Sequence, residues 1–83
     1  MFMAKADKTL RSWEDRARLF LKAEIKRADV TYEELARRLK KHGLPGETEN
    51  SIKAKLKRGT FAATFLLACL AALELEGVRL EDI

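Results

Sequence analysis

A helix start and a buried helix face occur together in one stretch of the chain, Thr31-Tyr32-Glu33-Glu34-Leu35-Ala36-Arg37-Arg38-Leu39. Thr31 and Glu34 have the spacing of a capping box, in which each side chain bonds the other residue's free backbone N–H. Leu35 and Leu39 are four residues apart and share one face of a helix. We therefore predict a helix that begins after Thr31, buries these two leucines and ends at Gly43, a residue suited to a helix C-terminus.

Helical periodicity continues on both sides of this stretch. A first helix should begin at Ser12, whose hydroxyl can accept a hydrogen bond from a free N–H of the first turn. A third helix, residues 47–58, should bury Ile52 and Leu56, which lie only about 40° apart on a helical wheel. The core stripe predicted for the first helix consists of Trp13, Ala17, Phe20, Leu21, Ile25 and Ala28.

The chain is mostly apolar after residue 60. A fourth helix, residues 61–76 with Thr60 as its cap, carries apolar side chains on nearly every side. Such a helix is buried on every side, and three other helices of this size can hardly cover all of it. Val78 and Leu80 then alternate with other residues, as in a short extended segment. The predicted fold is all-α, a compact domain of four helices, or of five elements if this segment is counted.

Length and composition limit the chain to one small domain. Leu, Ile, Val and Phe supply 22 of its 83 residues, enough for a single core. We assign the domain to residues 12–83 and expect residues 1–11 to form a flexible N-terminal arm. The first ten residues contain no apolar run, and the longest uncharged stretch, residues 59–73, is too short to cross a bilayer. The expected location is the cytoplasm, without a membrane partner.

Chemistry that requires particular side chains is nearly excluded. The chain has one Cys and one His, too few for a zinc site, and a lone cysteine forbids an internal disulfide. We expect no metal, no cofactor and no small-molecule substrate. The acidic residues fall on predicted solvent faces, not in an apolar pocket where a pair of carboxyl groups could serve as acid and base. An enzyme is therefore not expected.

Positive charge is concentrated between residues 37 and 58. Eight basic and two acidic side chains in this segment give a net charge of +6, whereas the whole chain has +4. Such a segment favours an anionic polymer as its partner. The face of the third helix opposite its core residues carries amide, small and basic side chains, the types that fit a major groove. They are Asn50, Lys53, Ala54, Lys57 and Arg58.

Residues 25–39, with Leu35-Ala36 inside the second helix, resemble the lambda-repressor-like, Cro-type helix-turn-helix domains. The segment from Ser51 to Phe65 is similar to a family of short bacterial proteins of unknown function related to that fold. The matching residues there are Lys55, Arg58-Gly59-Thr60-Phe61 and Phe65. Together the resemblances span residues 12–75 and imply a DNA-binding fold in which the second helix supports a recognition helix. The second helix and the following turn are both longer than in the usual motif.

These features predict a DNA-binding module, a homodimeric transcriptional regulator whose helix 47–58 enters the major groove of double-stranded DNA. The predicted DNA contacts are Arg37, Arg38, Lys40, Lys41, Thr48, Asn50, Lys53, Lys57 and Arg58. The predicted dimer interface consists of Leu66, Leu67, Leu70 and Leu73. Duplex DNA is favoured over RNA because exposed aromatic platforms for unstacked bases are missing.

Several alternatives stay open at the level of sequence. The chain can instead be a protein interaction or assembly module that works through helix 61–76, with its basic face only keeping it in solution. Asn50 and Thr48 can serve as first-turn residues that bond the local backbone, and not as base contacts. Cys69 has the pattern of a buried small side chain, and Lys55 that of a side chain packed across the edge of its helix.

Overall fold

Four α-helices account for most of residues 12–83, the part of the chain that the computed structural model describes. They are α1 (Trp13–Arg27), α2 (Tyr32–Lys41), α3 (Glu49–Arg58) and α4 (Ala63–Ala72), followed by a short 3₁₀ turn at Leu80–Asp82. No strand occurs among the described residues, which confirms the all-α prediction. None of these helices combines the length and the apolar character needed to span a bilayer. The predicted arm, residues 1–11, lies outside the described residues.

α2 and α3 connect the four helices. α2 packs against both α3 and α4, and α3 packs in addition against α1. Leu35 and Leu39 of α2 are fully buried, and Ala36 beside them is nearly so. The predicted core residues of α3 are buried as well. The other helices complete the core, whose remaining members are Leu21, Ile25, Ile52, Leu56, Phe65, Cys69, Ala72 and Leu73. The buried faces predicted for α2 and α3 are therefore confirmed.

Side-chain caps begin three of the four helices, at Ser12, Thr31 and Thr48. In each case the hydroxyl oxygen accepts a hydrogen bond from the backbone N–H three residues later, at 3.0–3.1 Å. The cap of α3 is reciprocal, since the Ser51 hydroxyl accepts a hydrogen bond from the Thr48 N–H at 2.8 Å. The reciprocal hydrogen bond predicted from the Thr31 N–H to the Glu34 carboxylate does not form, because this carboxylate binds two arginines of α2 instead.

α1, α2 and α4 end alike, with one residue in the left-handed region and a backbone hydrogen bond that closes the last turn. Gly43 has this conformation after α2, as predicted, with φ of +88°. Asp29 and Glu74 have it after α1 and α4, with φ of +58° and +66°. Because these two acidic residues carry no glycine-like signal, the sequence does not show where α4 stops.

α4 is shorter than predicted at both ends. Thr60 is not its cap; the helix begins after Ala62, and no side chain caps it. Phe61 precedes the helix and packs its ring against that of Phe65, with 5.4 Å between the ring centroids. At the other end the chain leaves the helix at Leu73, because the left-handed residue that follows turns the backbone away.

The two ends of α1 lie outside the core, which corrects part of the predicted stripe. Trp13 is 62% exposed, and Ala28 is exposed as well. Trp13 is the first residue of α1 and Ala28 follows its last, and neither belongs to the buried core. The Trp13 ring stacks on the Arg16 guanidinium instead, 4.0 Å from the ring centroid.

The C-terminal segment packs back on α1. Arg16 donates two hydrogen bonds to the carbonyl oxygen of Ile83, at 3.1 and 3.2 Å. A 3₁₀ turn begins at Leu80, whereas Arg79 just before it has extended backbone angles, so the extended piece expected at residues 78–80 does not include Leu80. Glu24 and Arg27 line the groove between this turn and α1. Glu24 is only 8% exposed and pairs with Arg27 at 3.3 Å, a buried carboxylate that the sequence did not predict.

Gly59 ends α3 where the chain passes close to α1. Its backbone has φ of +77°, and its N–H donates a hydrogen bond to the Lys55 carbonyl at 2.9 Å. A Cβ at this position would lie 2.8 Å from the carbonyl oxygen of Glu14, closer than Cβ atoms approach backbone in proteins. Only glycine fits here, so the end of α3 rests directly on the first turn of α1.

Replacing Gly59 with alanine should lower the free energy of unfolding by about 2–4 kcal/mol, because the strain of a left-handed alanine adds to a backbone clash. Gly43→Ala is the matched control, since Gly43 has φ of +88° but open space where a Cβ would lie. It should lower that free energy by only about 1 kcal/mol. Urea denaturation followed by circular dichroism measures both variants. Equal losses would mean that Gly59 is needed for its backbone angle and not for close packing.

Candidate nucleic-acid interface

The eight cations of residues 37–58 fall into two groups of four. The members of one group each pair with a carboxylate of the domain, within 3.4 Å. They are Arg37, Arg38, Lys53 and Lys55. The side chains of the others are exposed and make no ion pair or hydrogen bond within residues 12–83. These free cations are Lys40, Lys41, Lys57 and Arg58. The fold thus uses half of the positive charge of this segment internally and leaves the other half to solvent.

Glu34 holds the two arginines of α2. Both pair with its carboxylate, Arg38 at 3.1 Å, and Arg38 also donates a hydrogen bond to the Ala72 carbonyl oxygen at the end of α4, at 3.1 Å. The hydrogen bond from Arg38 is the main cause that lowers the pKa of Glu34 below its ordinary value of 4.5, against a smaller opposing effect of desolvation. Arg38 therefore fastens α2 to α4.

Lys55 and Glu47 form a largely enclosed ion pair beside α3. The two side chains are 25% and 15% exposed, and their charged atoms lie 3.1 Å apart. Glu47 also accepts a hydrogen bond from the Ser51 hydroxyl at 2.7 Å. The Lys55 ammonium lies 5.4 Å from the centre of the Phe65 ring in α4. Lys55 thus contacts both Glu47 in the turn before α3 and Phe65 in α4, so its side chain packs across the edge of its helix.

The exposed face of α3 carries an amide, a methyl group and a cation in one row. Asn50, Ala54 and Lys57 follow one another at intervals of four and three residues, so they share the face opposite Ile52 and Leu56. All three are exposed, and the Asn50 side chain makes no hydrogen bond in the described part of the chain. We call this row the α3 stripe. It is flanked by Lys53 and Arg58.

Two more of the predicted DNA contacts serve α3 itself. Thr48 is exposed, but its hydroxyl oxygen accepts the hydrogen bond that caps the helix. Lys53 pairs with Glu49 one turn earlier, at 3.4 Å, and both side chains are at least half exposed. Exposed pairs of this kind contribute roughly 0–1 kcal/mol and separate easily. Lys53 therefore stays available to a ligand, whereas the Thr48 hydroxyl is engaged.

The four leucines of the predicted dimer interface are not equivalent. Leu73 is 8% exposed and belongs to the core, so it is not accessible to a partner. Leu66 and Leu70 are half-buried and pack against the core. Leu67 is 64% exposed, with exposed alanines one turn before and one turn after it. The apolar surface that α4 offers to solvent is thus centred on Leu67.

Cys69 lies at the opposite, buried side of α4. It is fully buried, and burial raises the pKa of its thiol to about 12. The group is therefore a neutral thiol at physiological pH, a packed residue and not a nucleophile. Within residues 12–83 no cluster of three His, Cys, Asp or Glu side chains could hold a metal ion.

A family model described as a domain of unknown function, DUF6471, matches residues 13–78. The chain belongs to this family. The match runs from α1 past α4, so the DUF6471 domain contains both the free cations and the α3 stripe. No curated protein and no solved structure matches the chain. The expected similarity to a family of unknown function is confirmed, and that description assigns no activity.

In this DUF6471 domain, Arg38→Gln should raise the pKa of Glu34 toward 4.5, and Arg37→Gln should raise it less, because the hydrogen bond from Arg38 has the largest effect. A lowered pKa in the folded state means that the stabilising contribution of Glu34 is complete above its unfolded pKa. That contribution is lost as the pH falls through the lower, folded value. NMR titration of the Glu34 carboxyl carbon measures both variants. A larger shift in Arg37→Gln would contradict this assignment.

Proposed function

We propose that this chain is a DNA-binding module of the lambda-repressor-like helix-turn-helix type and acts as a homodimeric transcriptional regulator. In this proposal α2 is the supporting helix and α3 is the recognition helix. The α3 stripe is the observation that carries it, because an amide, a methyl group and a cation stand exposed in one row with no partner of their own. No catalytic residue is assigned.

The dimensions of α3 suit a major groove. Its ten residues make a helix about 15 Å long. The groove of B-DNA is about 12 Å wide and admits one α-helix. Lys40 and Lys41 precede the turn that leads into α3, while Lys57 and Arg58 are its last residues. The chain therefore carries free cations before α3 in sequence and in its last turn, and in this proposal they contact the phosphates that border the groove.

The paired cations have other roles in this proposal. Arg38 holds α4 and therefore acts within the domain, whereas the pair of Arg37 with Glu34 is exposed and separates easily, so Arg37 can leave it for a phosphate. Lys53 can leave its exposed pair for a phosphate, since such a pair separates easily. We therefore assign the main phosphate contacts to the four free cations.

Binding to duplex DNA should fall steeply with salt. Four phosphate contacts per protomer give a slope of log K against log salt of about −4 for one protomer and about −7 for a dimer. Replacing both Lys57 and Arg58 with Glu should abolish binding at about 150 mM salt, because two attractions become repulsions. Fluorescence anisotropy with a labelled duplex measures the slope and the loss.

The double variant Lys22→Glu with Lys26→Glu is the matched control. Both lysines are exposed on α1 and make no ion pair within the described residues, and the change in net charge is the same. This control should weaken binding far less than the α3 variant does. If both double variants lose the same affinity for DNA, net charge alone explains the loss and α3 is not part of the contact surface.

The apolar surface around Leu67 supports the homodimer and also favours a second candidate function, a protein interaction or assembly module. A leucine that is 64% exposed within an apolar helix face is typical of a contact surface. Residues 59–73 contain no charged side chain. Two copies can therefore meet through this face without like-charge repulsion.

Leu67→Lys should convert the dimer to a monomer without unfolding the domain, because the side chain already faces solvent. Leu80→Lys is the control, since Leu80 is 66% exposed but belongs to the 3₁₀ turn. Sedimentation velocity gives the mass, and the salt slope for duplex DNA should move from about −7 toward −4 as the dimer is lost. If the wild type binds no duplex DNA and Leu67→Lys abolishes its self-association, the assembly module is favoured. An unchanged dimer would contradict the Leu67 interface.

A further inference from the structure

Residues 47–51 are five consecutive polar residues at the entry to α3, and the domain uses four of them. The carboxylate of Glu47 is largely buried in an ion pair. Thr48 and Ser51 form the reciprocal cap, and Glu49 forms an exposed ion pair. Asn50 is the exception, because its side chain is exposed and has no hydrogen bond within residues 12–83. It neither caps the helix nor closes the turn. Asn50 therefore does not have the alternative role considered from the sequence, a hydrogen bond to the local backbone.

A free asparagine amide is chemically matched to one base edge. Adenine presents a donor, N6–H₂, beside an acceptor, N7, in the major groove, and an amide offers one acceptor and one donor in return. Guanine presents two acceptors there, so the amide oxygen would face an acceptor and only one hydrogen bond could form. A good bidentate contact of this kind discriminates against a wrong base by about 5- to 150-fold.

The neighbours of Asn50 on the α3 stripe permit such an approach. Ala54, one turn later, is exposed and projects only a methyl group, which lets the helix come close to the bases and can contact a thymine methyl. Lys57 follows after another turn and reaches a phosphate or a guanine. The charged side chains nearest to Asn50 along α3, Glu49 in the first turn and Lys53 in the second, neutralise one another at 3.4 Å.

We propose that Asn50 is the specificity-determining residue of α3 and reads one adenine in each half-site of duplex DNA. The inference rests on the proposed function, since it needs α3 to enter a major groove. The inference assigns phosphate binding and base selection to different side chains of this surface. The free cations bind any sequence through its phosphates, and the Asn50 amide selects among sequences.

The test is selection from a duplex library with a randomised central segment, followed by sequencing of the bound fraction. Wild type is compared with Asn50→Ala and Asn50→Asp, and the control is Lys22→Gln, at an exposed position of α1 outside this surface. Circular dichroism and thermal unfolding establish that every variant is folded. Aspartate can only accept hydrogen bonds, so it should prefer the N4–H₂ donor of cytosine at the position where asparagine prefers adenine.

Wild type should enrich adenine at one position per half-site by about 5- to 150-fold. Asn50→Ala should lose that preference while its salt slope on random duplex stays the same, Asn50→Asp should turn the preference to cytosine, and Lys22→Gln should keep adenine. The inference is overturned if Asn50→Ala selects the wild-type motif, or if wild type binds duplexes without any base preference. No binding to any duplex at about 50 mM salt would overturn the proposed function itself, a result distinct from binding without selection.

Discussion

Leu35 and Leu39 lie fully buried in the core, and their helix, α2, packs against both α3 and α4, so they fix where those two helices can sit. Burying a leucine contributes about 1.5–3 kcal/mol. An exposed ion pair such as that of Arg37 contributes at most about 1 kcal/mol. The apolar contacts of α2 therefore determine the arrangement, and ion pairs adjust it. Arg38 is the exception among the arginines, since its hydrogen bond to the Ala72 carbonyl joins two helices directly.

α3 is attached to the domain by a narrow face. Ile52 and Leu56 are its buried side chains, and Gly59 brings its end against the backbone of α1. Such a helix cannot tilt far without losing both apolar contacts or opening the close approach at Gly59. Six of its ten residues are exposed, so the same constraint that holds α3 also presents the α3 stripe. Rigid attachment and wide exposure are what a surface for direct base contacts requires.

The features that could be predicted from the sequence are those with a local physical cause. The caps at Ser12 and Thr31 and the buried pair Leu35 and Leu39 each depend on residues within a few positions of one another. The end of α4 could not be predicted, because an ordinary glutamate takes the left-handed conformation there. Trp13 was misplaced because a periodic pattern does not reveal which positions at the end of a helix its neighbours cover. The division of the cations into paired and free ones depends on tertiary contacts, such as that of Arg38 with α4, which no spacing encodes.

In the proposed function, dimerisation and DNA contact use different helices, α4 and α3. On α4, Leu67 faces away from Phe65 and Cys69, which are buried, and on α3 the stripe faces away from the buried Ile52. A partner that contacts α4 alone therefore leaves the α3 stripe exposed. Pairing two copies doubles the four free cations to eight, which nearly doubles the dependence of binding on salt. Because one α3 helix reaches only a few base pairs, a single domain reads too short a sequence for much selectivity. Two copies held in fixed geometry supply both the second half-site and the additional phosphate contacts.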